Sequence, residues 1–263
     1  MPKYLLIILL LCLPGCDRTE PDTTRPGPEE TPPLPDFSSY QNTSKKKQAF
    51  ITYMLPLVEE ANEQVLKERQ LVERWYLADD ELSAEEQEEI HHLLSKYRVT
   101  ASDVDEQKEL LLRRVNIIPP SLVLAQAANE SGWGTSRFAQ EGNNLFGQWC
   151  FREGCGIVPE ARGGSSRHEV QRFETPLNSV ESYILNLNSH PRYRELRDLR
   201  IHSLQEDGYV NGEDLVPGLL GYSERGYEYI DEIRHMIEYN KLGRYDQTEP
   251  AENRSEPQPT SGE

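Results

Sequence analysis

One glutamate in this sequence stands where a side chain could act as an acid. Glu130 follows an apolar run of mostly small residues, 122–128, which is typical of a buried helix, and it precedes Ser131-Gly-Trp-Gly134. A carboxyl group on the last turn of a buried helix, beside an indole, is partly removed from water, and desolvation raises its pKa. Such a group can hold a proton near neutral pH and donate it to the leaving oxygen of a glycosidic bond. The alternative is a solvated glutamate, which is the common case at a helix end. A solvated residue would not need an apolar helix before it or a glycine-tryptophan segment after it, so these neighbours favour the buried acid.

The surrounding sequence predicts a mostly helical fold with one small β lobe. Apolar residues recur at helical spacing over 45–115, and Pro119-Pro120 followed by Ser121 is typical of the start of the helix that leads to Glu130. Residues 143–173 are rich in glycine and include alternating apolar and polar positions, which indicates a hairpin or a small antiparallel lobe. Further helices are predicted at 176–189, 215–220 and 227–239.

The first residues are typical of an export signal, which we place at 1–15. Lys3 is followed by an apolar run, 4–13, that is too short to span a bilayer, and then by Pro14-Gly15-Cys16. A cysteine directly after a small residue resembles the lipobox of bacterial lipoproteins, which implies an acylated Cys16 at the mature N-terminus. Asp17 then resembles an inner-membrane retention signal. We expect a periplasmic protein anchored to the membrane by lipid; an ordinary secretory signal is the alternative, and it also exports the chain.

Composition divides the mature chain into polar ends and a globular part. Residues 16–44 and 247–263 are rich in polar residues and proline, so we expect a disordered tether and a disordered tail. Between them we expect a helical region over 45–115 and a second domain over 116–246. The net charge of −17 repels nucleic acid and excludes a nucleic-acid partner.

Two cysteines remain in the globular part. Cys150 and Cys155 are separated by a short segment that contains a glycine, which favours a disulfide across a tight hairpin in an exported protein. A zinc site is the alternative, but it would need two more ligands, and no second cysteine pair or His-x-x-His is nearby. The histidines show no metal-ligand spacing, so we expect no metal and no other cofactor, and a metal-dependent amidase is not favoured.

Three motifs follow one another in the second half of the chain. They are Leu124-Ala-Gln-Ala-Ala-Asn-Glu-Ser-Gly-Trp-Gly-Thr-Ser136, Gly142-Asn-Asn-Leu-Phe-Gly147, and Gly221-Tyr222 before Tyr227. Together they resemble the peptidoglycan-cleaving β-N-acetylglucosaminidases of glycoside hydrolase family 73, and the preceding helical stretch fits the Bax type of that family. The resemblance covers about residues 116–245. It implies a lysozyme-like fold, in which a helical lobe and a β lobe flank a groove, and cleavage of the β-1,4 bond after N-acetylglucosamine in glycan strands.

The resemblance also implies roles for particular side chains. Glu130 matches the general acid, and a second acidic residue is expected on the β lobe. We place it at Glu160, with Glu153 and Glu169 as competing positions. An inverting enzyme would use that carboxylate as a base, whereas a retaining enzyme could use the substrate's own 2-acetamido group, which Tyr222 would then orient. The sequence leaves both mechanisms open.

The groove must also hold sugar rings. The aromatic residues that could stack on pyranose faces are Trp133, Phe146, Trp149 and Tyr227. Core packing is the alternative for each of them. Asn143 and Asn144 could bond hydroxyl or N-acetyl groups, or they could cap the turn into the β lobe.

Two other functions stay open at this stage. A lytic transglycosylase shares the lysozyme-like fold and one essential glutamate, but its products are anhydro sugars. A non-enzymatic wall-binding lipoprotein would keep the fold without the chemistry. The oligomeric state is not predicted.

Overall fold

The computed structural model describes residues 31–77, 82–159 and 168–246. The predictions that concern the signal peptide 1–15, Cys16, Glu160 and the tail 247–263 lie outside these residues. Within the described part of the chain, no helix combines the length and the apolar character that a bilayer span requires.

Three helices precede the segment that contains Glu130. α1 (Thr43–Leu77) is 35 residues long and buries an apolar face. α2 (Ala84–Lys96) begins at a capping box, in which the side chains of Ser83 and Glu86 each accept a hydrogen bond from the other's backbone N–H. α3 (Val104–Arg114) follows, and α1 packs against both of these helices and against the later helices α4 (Pro120–Ser131) and α6 (Pro176–Ser189).

Helix α4 is buried along most of its length. Pro119 and Pro120 start it, because proline fits the first turn, where a backbone N–H has no partner in the helix. It ends at Gly132, which has a φ of 59°, in the left-handed region that favours glycine at a helix end. The next residue of this end, Trp133, also has a positive φ of 61°, so the chain turns sharply directly after Glu130.

Side chains fix the loop that leads into α4. Asn62 of α1 bonds both the N–H and the carbonyl of Ile118, at 3.1 and 2.9 Å. Arg69 donates to carbonyls on either side of the end of α3, and Arg200 donates to carbonyls at residues 113–117. Arg200 is fully buried, and burial together with neighbouring arginines lowers its pKa to about 9. These bonds attach the start of the buried helix to α1 and to the C-terminal helices.

The β lobe follows α5 (Arg137–Gly142). Its three short strands are β1 (Trp149–Cys150), β2 (Gly156–Ile157) and β3 (Glu169–Gln171), antiparallel in the order β1-β3-β2. Val170 on the central strand lies opposite Trp149 on one side and Ile157 on the other. A disulfide joins Cys150 to Cys155 across the turn between β1 and β2.

Helices complete the chain after the β lobe. α6 and α9 (Tyr227–Tyr239) have the bounds that the sequence predicts, and α8 (Gly212–Leu215) continues into a short 3-10 turn. The sequence did not predict α7 (Arg194–Glu206), because it is rich in charged residues. Two of these, Arg197 and Arg200, are buried and donate to backbone carbonyls, so the helix does not have an ordinary apolar stripe.

The segment before α1 differs from the tether predicted over 16–44. Phe37 is buried against Phe50, with ring centroids 5.4 Å apart, and its ring occupies the space that a side chain at Gly134 would need. Tyr53 donates a hydrogen bond to the carbonyl of Pro32 at 2.6 Å. Residues 31–44 therefore belong to the folded body, because the buried Phe37, the packed Leu34 and hydrogen bonds to two proline carbonyls hold this polar segment.

The predicted fold class is confirmed. The described chain is mostly α, with a small three-stranded β lobe and with additional helices before the domain that contains Glu130.

Candidate active site

Glu130 lies where the helical body meets the loop into the β lobe. It is on the last turn of α4 and is half-buried. Its Oε1 accepts a hydrogen bond of 2.8 Å from the hydroxyl of Tyr229 on α9. On the other side, a β-carbon at Gly147 would lie 4.0 Å from its Oε2. Glycine suits this position of the Asn-Asn-Leu-Phe-Gly motif because Gly147 has a φ of 66°, in the left-handed region that favours glycine.

A chain of hydrogen bonds supports Tyr229 from behind. Gln126, one turn before Glu130 on α4, donates from Nε2 to the Tyr229 hydroxyl at 2.8 Å. Tyr183 on α6 donates in turn to Oε1 of Gln126. Gln126 and Tyr183 are almost fully buried. Every donor therefore points in one direction, from Tyr183 through Gln126 and Tyr229 to the carboxyl group.

The surroundings raise the pKa of Glu130. The main cause is desolvation by burial, while the hydrogen bonds from Tyr229 and Asn129 lower the pKa. The charge of Glu232 raises the pKa and that of Arg225 lowers it, and these two side chains form an ion pair at 2.6 Å. The direction agrees with the prediction from the buried helix, and a carboxyl group of this kind stays protonated at a higher pH than a solvated glutamate.

The aromatic neighbour of Glu130 differs from the prediction, however. Trp133 packs its ring edge-on against Phe50 of α1, with centroids 5.7 Å apart, and Lys47 lies over the ring at 4.7 Å. The indole therefore attaches the end of α4 to α1. The ring whose hydroxyl contacts Glu130 is that of Tyr229.

Tyr222 of the Gly-Tyr motif lies beside this hydrogen-bond chain. Its ring stacks on that of Tyr229, with centroids 5.4 Å apart, and its hydroxyl donates to the carbonyl of Phe146 at 3.1 Å. Burial raises the pKa of Tyr222, as does the nearby Glu130 charge. Tyr222 thus connects α9 to the residue that precedes Gly147.

Three residues predicted to bind substrate have structural roles instead. Phe146 is 3% exposed and stacks on Tyr183 at 4.0 Å. Asn144 is 1% exposed, donates to two carbonyls of the β lobe, and accepts from two backbone N–H groups of its own loop. Asn143 ends α5 with a positive φ and donates to the carbonyls of Phe173 and Glu174. They fix the turn into the β lobe, which is the alternative that the sequence left open for the two asparagines.

Two of the predicted aromatic residues are accessible. Tyr227 is 75% exposed at the start of α9, and Trp149 is 57% exposed on β1. Trp149 also stacks on His168, with ring centroids 4.1 Å apart. Of the four aromatic candidates, these two have rings that a sugar can reach.

The competing β-lobe carboxylates have different positions. Glu169 is 5% exposed and accepts the backbone N–H groups of Gly154 and Gly156, at 3.1 and 2.8 Å. It holds the hairpin together, so its carboxylate is already engaged. Glu153 is exposed on that hairpin, and Glu160 lies outside the described residues.

The same hairpin contains a group of possible metal ligands. Ligand atoms of Cys150, Cys155 and Glu169 lie within 4.8 Å of one another. The disulfide uses both sulfur atoms, which leaves no thiolate for an ion to bind. The geometry supports the disulfide interpretation of the two cysteines.

Sequence reasoning missed Tyr229, Gln126 and Tyr183. A signal for one of them is present, because Gln126 is a single polar residue in an apolar run and lies four residues before Glu130, on the same face of the helix. The pairing with Tyr229 joins residues 99 positions apart, and local spacing cannot indicate it.

Comparisons with known proteins define the class. Residues 107–242 match the glucosaminidase family model, which is described as mannosyl-glycoprotein endo-beta-N-acetylglucosaminidase. The chain is 33% identical over 211 residues to protein bax of Escherichia coli strain K12, covering 79% of this chain and 74% of that protein. The catalytic domain of the autolysin Auto from Listeria monocytogenes aligns over 80% of this chain and 92% of that domain, with a TM-score of 0.43 and 18% identity.

The family match places the chain in a peptidoglycan-hydrolase family, with a glycoside hydrolase domain. It belongs to the glucosaminidase family, glycoside hydrolase family 73, as a Bax-type member.

Proposed function

We propose that this protein hydrolyses the β-1,4 bond after N-acetylglucosamine in the glycan strands of peptidoglycan, with Glu130 as the general acid. The family supports the substrate class. The observation that carries the residue assignment is the Tyr229–Glu130 hydrogen bond of 2.8 Å, on a half-buried carboxyl group at the junction of the two lobes.

The proposed first step is proton transfer from Glu130 to the leaving glycosidic oxygen. Burial keeps the proton on the carboxyl group before the sugar binds, because it raises the pKa. Once the proton has left, the new carboxylate accepts the hydroxyl of Tyr229, whose oxygen accepts from Gln126. The hydrogen-bond chain therefore stabilises the negative charge that forms as the bond breaks.

The second step neutralises the positive charge that develops at C1 of the sugar. Either the substrate's 2-acetamido oxygen or a water activated by a carboxylate attacks C1, and we propose Glu160 as that carboxylate. Tyr222 is bonded to the carbonyl of Phe146. Orienting the acetamido group would require this bond to be exchanged for one to substrate.

The deciding experiment is analysis of the ends produced from purified peptidoglycan. Wild type should release reducing N-acetylglucosamine ends, and Glu130→Gln should release almost none. Glu63→Gln, at an exposed site on α1, is the matched control and should equal wild type. Products one water lighter would instead identify a lytic transglycosylase, and a folded wild type that binds wall without cleaving it would identify a binding protein.

We also propose that the protein is exported and anchored in the bacterial inner membrane through an acylated Cys16, with its active site in the periplasm. The support is the short apolar run and the cysteine that follows Gly15. Mass spectrometry of the N-terminal peptide should find the lipid on Cys16. Cys16→Ser should appear in the soluble fraction, and a variant that stays in the membrane would contradict the anchor.

A further inference from the structure

A cavity of about 270 Å³ lies between the N-terminal helices and the glucosaminidase domain. The residues that line it and matter here are Lys96, Arg98, Gln148, Trp149, Asn186 and Ser189. Lys96 is the last residue of α2, and Arg98 comes shortly after it. Gln148 and Trp149 belong to the start of the β lobe, and Asn186 and Ser189 belong to α6. The cavity therefore exists only because the N-terminal region packs against the domain.

The cavity carries positive charge in an acidic protein. The chain has a net charge of −17, yet Arg98 is exposed and forms no ion pair within the described residues. Lys96 is paired with Glu68, so its charge is compensated. The uncompensated charge in the cavity is that of the Arg98 guanidinium, which suits a carboxylate better than a neutral sugar.

The positive edge continues toward the Gly-Tyr motif. Burial lowers the pKa of His190, and the charges of Arg98, Arg192 and Arg197 lower it further, so these arginines act on the same histidine. Arg192 is exposed and donates to the carbonyl of Gly221 at 2.8 Å. Like Arg98, it forms no ion pair in the part of the chain that the structure describes. A cationic edge thus extends from the cavity to the residue before Tyr222.

Two residues that line the cavity have polar atoms without partners. Oε1 of Gln148 and Oγ of Ser189 are withdrawn from water and have no hydrogen-bond partner among the described residues. The Ser189 hydroxyl can donate to a carboxylate, whereas the Gln148 oxygen can only accept, for example from the N–H of a peptide that carries the carboxylate. Buried polar atoms without partners are uncommon in native proteins, because each one costs free energy. Trp149, more than half exposed, adds an apolar surface to the wall of the cavity.

Residues of the cavity adjoin residues that surround the proposed catalytic carboxyl group. Gln148 follows Gly147, the residue that lies against Glu130. Arg192 contacts Gly221, and the adjacent Tyr222 holds the carbonyl of Phe146. These neighbouring residues link the cavity and the cationic edge to the surroundings of Glu130, so the inference requires that one glycan strand reaches both.

We infer that this cavity binds a free carboxylate of the peptides that branch from the glycan strand, with Arg98 as the primary contact. The inference rests on the proposed function, because it assigns a part of the same substrate. The sugar backbone is neutral where its lactyl groups are amide-linked, so the anionic groups of this polymer are on the peptides. The N-terminal helices then serve as a specificity element, since they supply the arginine that the domain itself does not.

The test compares two substrates that differ only in the charge of the peptides. Soluble glycan strands with peptides, and the same strands after their peptide carboxylates have been converted to primary amides, are digested by wild type, Arg98→Gln and the control Arg234→Gln, an arginine elsewhere on the surface. Wild type and the control should cleave the unmodified strands about tenfold more efficiently in kcat/KM. Arg98→Gln should lose most of this preference and keep the wild-type kcat/KM on amidated strands. An unchanged preference in Arg98→Gln, or an equal loss on both substrates, overturns the inference.

A binding measurement separates this inference from the proposed function. Calorimetric titration of Glu130→Gln with a peptide-bearing glycan fragment should give an affinity that falls about tenfold when Arg98→Gln is added, and that weakens with added salt. Binding with these properties supports the cavity assignment even if wild type cleaves no glycan. Hydrolysis without any effect of the Arg98→Gln change supports the proposed function and overturns the cavity assignment. Displacement of the bound fragment by inorganic phosphate but not by free peptide also overturns the cavity assignment.

Discussion

Two carboxylates, one on each lobe, are held by different kinds of donor. Glu130 on the helical side is half-buried and accepts from a tyrosine hydroxyl, whereas Glu169 on the β side is almost fully buried and accepts from two backbone N–H groups. The N–H groups belong to the hairpin that the disulfide closes, so Glu169 holds the lobe in shape. The hydroxyl can donate to Glu130 in either protonation state of the catalytic cycle. The lesson is that burial alone does not identify the acid, because the partners decide what a buried carboxylate does.

The strongest test of this difference removes the acid itself. Glu130→Gln should lower kcat by about 10³-fold, since a general acid contributes at this level. It should also raise the free energy of unfolding at neutral pH. A carboxyl group whose pKa is higher in the native state stabilises the fold at low pH. This contribution is lost as pH rises from the unfolded-state pKa through the native pKa, because the buried group must then ionise. Glutamine has no charge to desolvate at any pH. Denaturant unfolding at several pH values checks this, and a variant that is less stable than wild type at neutral pH would contradict it.

The opposite outcome is expected for the other carboxylate. Glu169→Ala should lower the free energy of unfolding by about 2 kcal/mol, because the N–H groups of Gly154 and Gly156, both partly accessible to water, lose a charged acceptor. Thermal unfolding measures the loss, and proteolysis within 150–157 should become faster. Glu153→Ala, an exposed carboxylate on the same hairpin, is the control and should have little effect on stability. A stable Glu169→Ala protein without activity would instead give Glu169 a chemical role and remove the contrast.

The disulfide should act on the same unit as Glu169. Replacing Cys150 and Cys155 by serine should cost about 2 kcal/mol, since the closed loop is short. Combined with Glu169→Ala, the total loss should be smaller than the sum of the two, because both hold one hairpin. Additive losses would show that the carboxylate and the disulfide act independently.

A smaller effect is expected at Tyr229. Tyr229→Phe removes a donor that lowers the pKa of Glu130, so that pKa should rise further. The activity of wild type should fall as pH rises through the pKa of Glu130, and this limb of the profile should move to higher pH in the variant. The rate at the optimum should fall about tenfold, because the carboxylate formed loses one hydrogen bond. Tyr239→Phe, on the exposed end of the same helix, should leave the profile unchanged.

The sequence predicted local structure better than long-range contacts. α6 and α9 have the predicted bounds because their apolar residues recur regularly, because Pro176 starts α6, and because Gly226 precedes α9. α7 was missed because Arg197 and Arg200 occupy positions that apolar residues normally fill. The buried, desolvated environment of Glu130 followed from its helix. The sequence did not predict that Tyr229, rather than Trp133, contacts Glu130, because this contact depends on how α1 and α9 pack.

The docked position of Phe37 limits how far the active site can work from a membrane. If Cys16 carries the proposed lipid, only residues 16–30 separate the anchor from the folded body, because the chain from residue 31 onward is part of that body. At about 3.4 Å per residue, fifteen residues span at most about 50 Å in any conformation, roughly half the length that the composition implied. The proposed anchor would therefore confine the proposed activity to the layer of wall nearest the membrane.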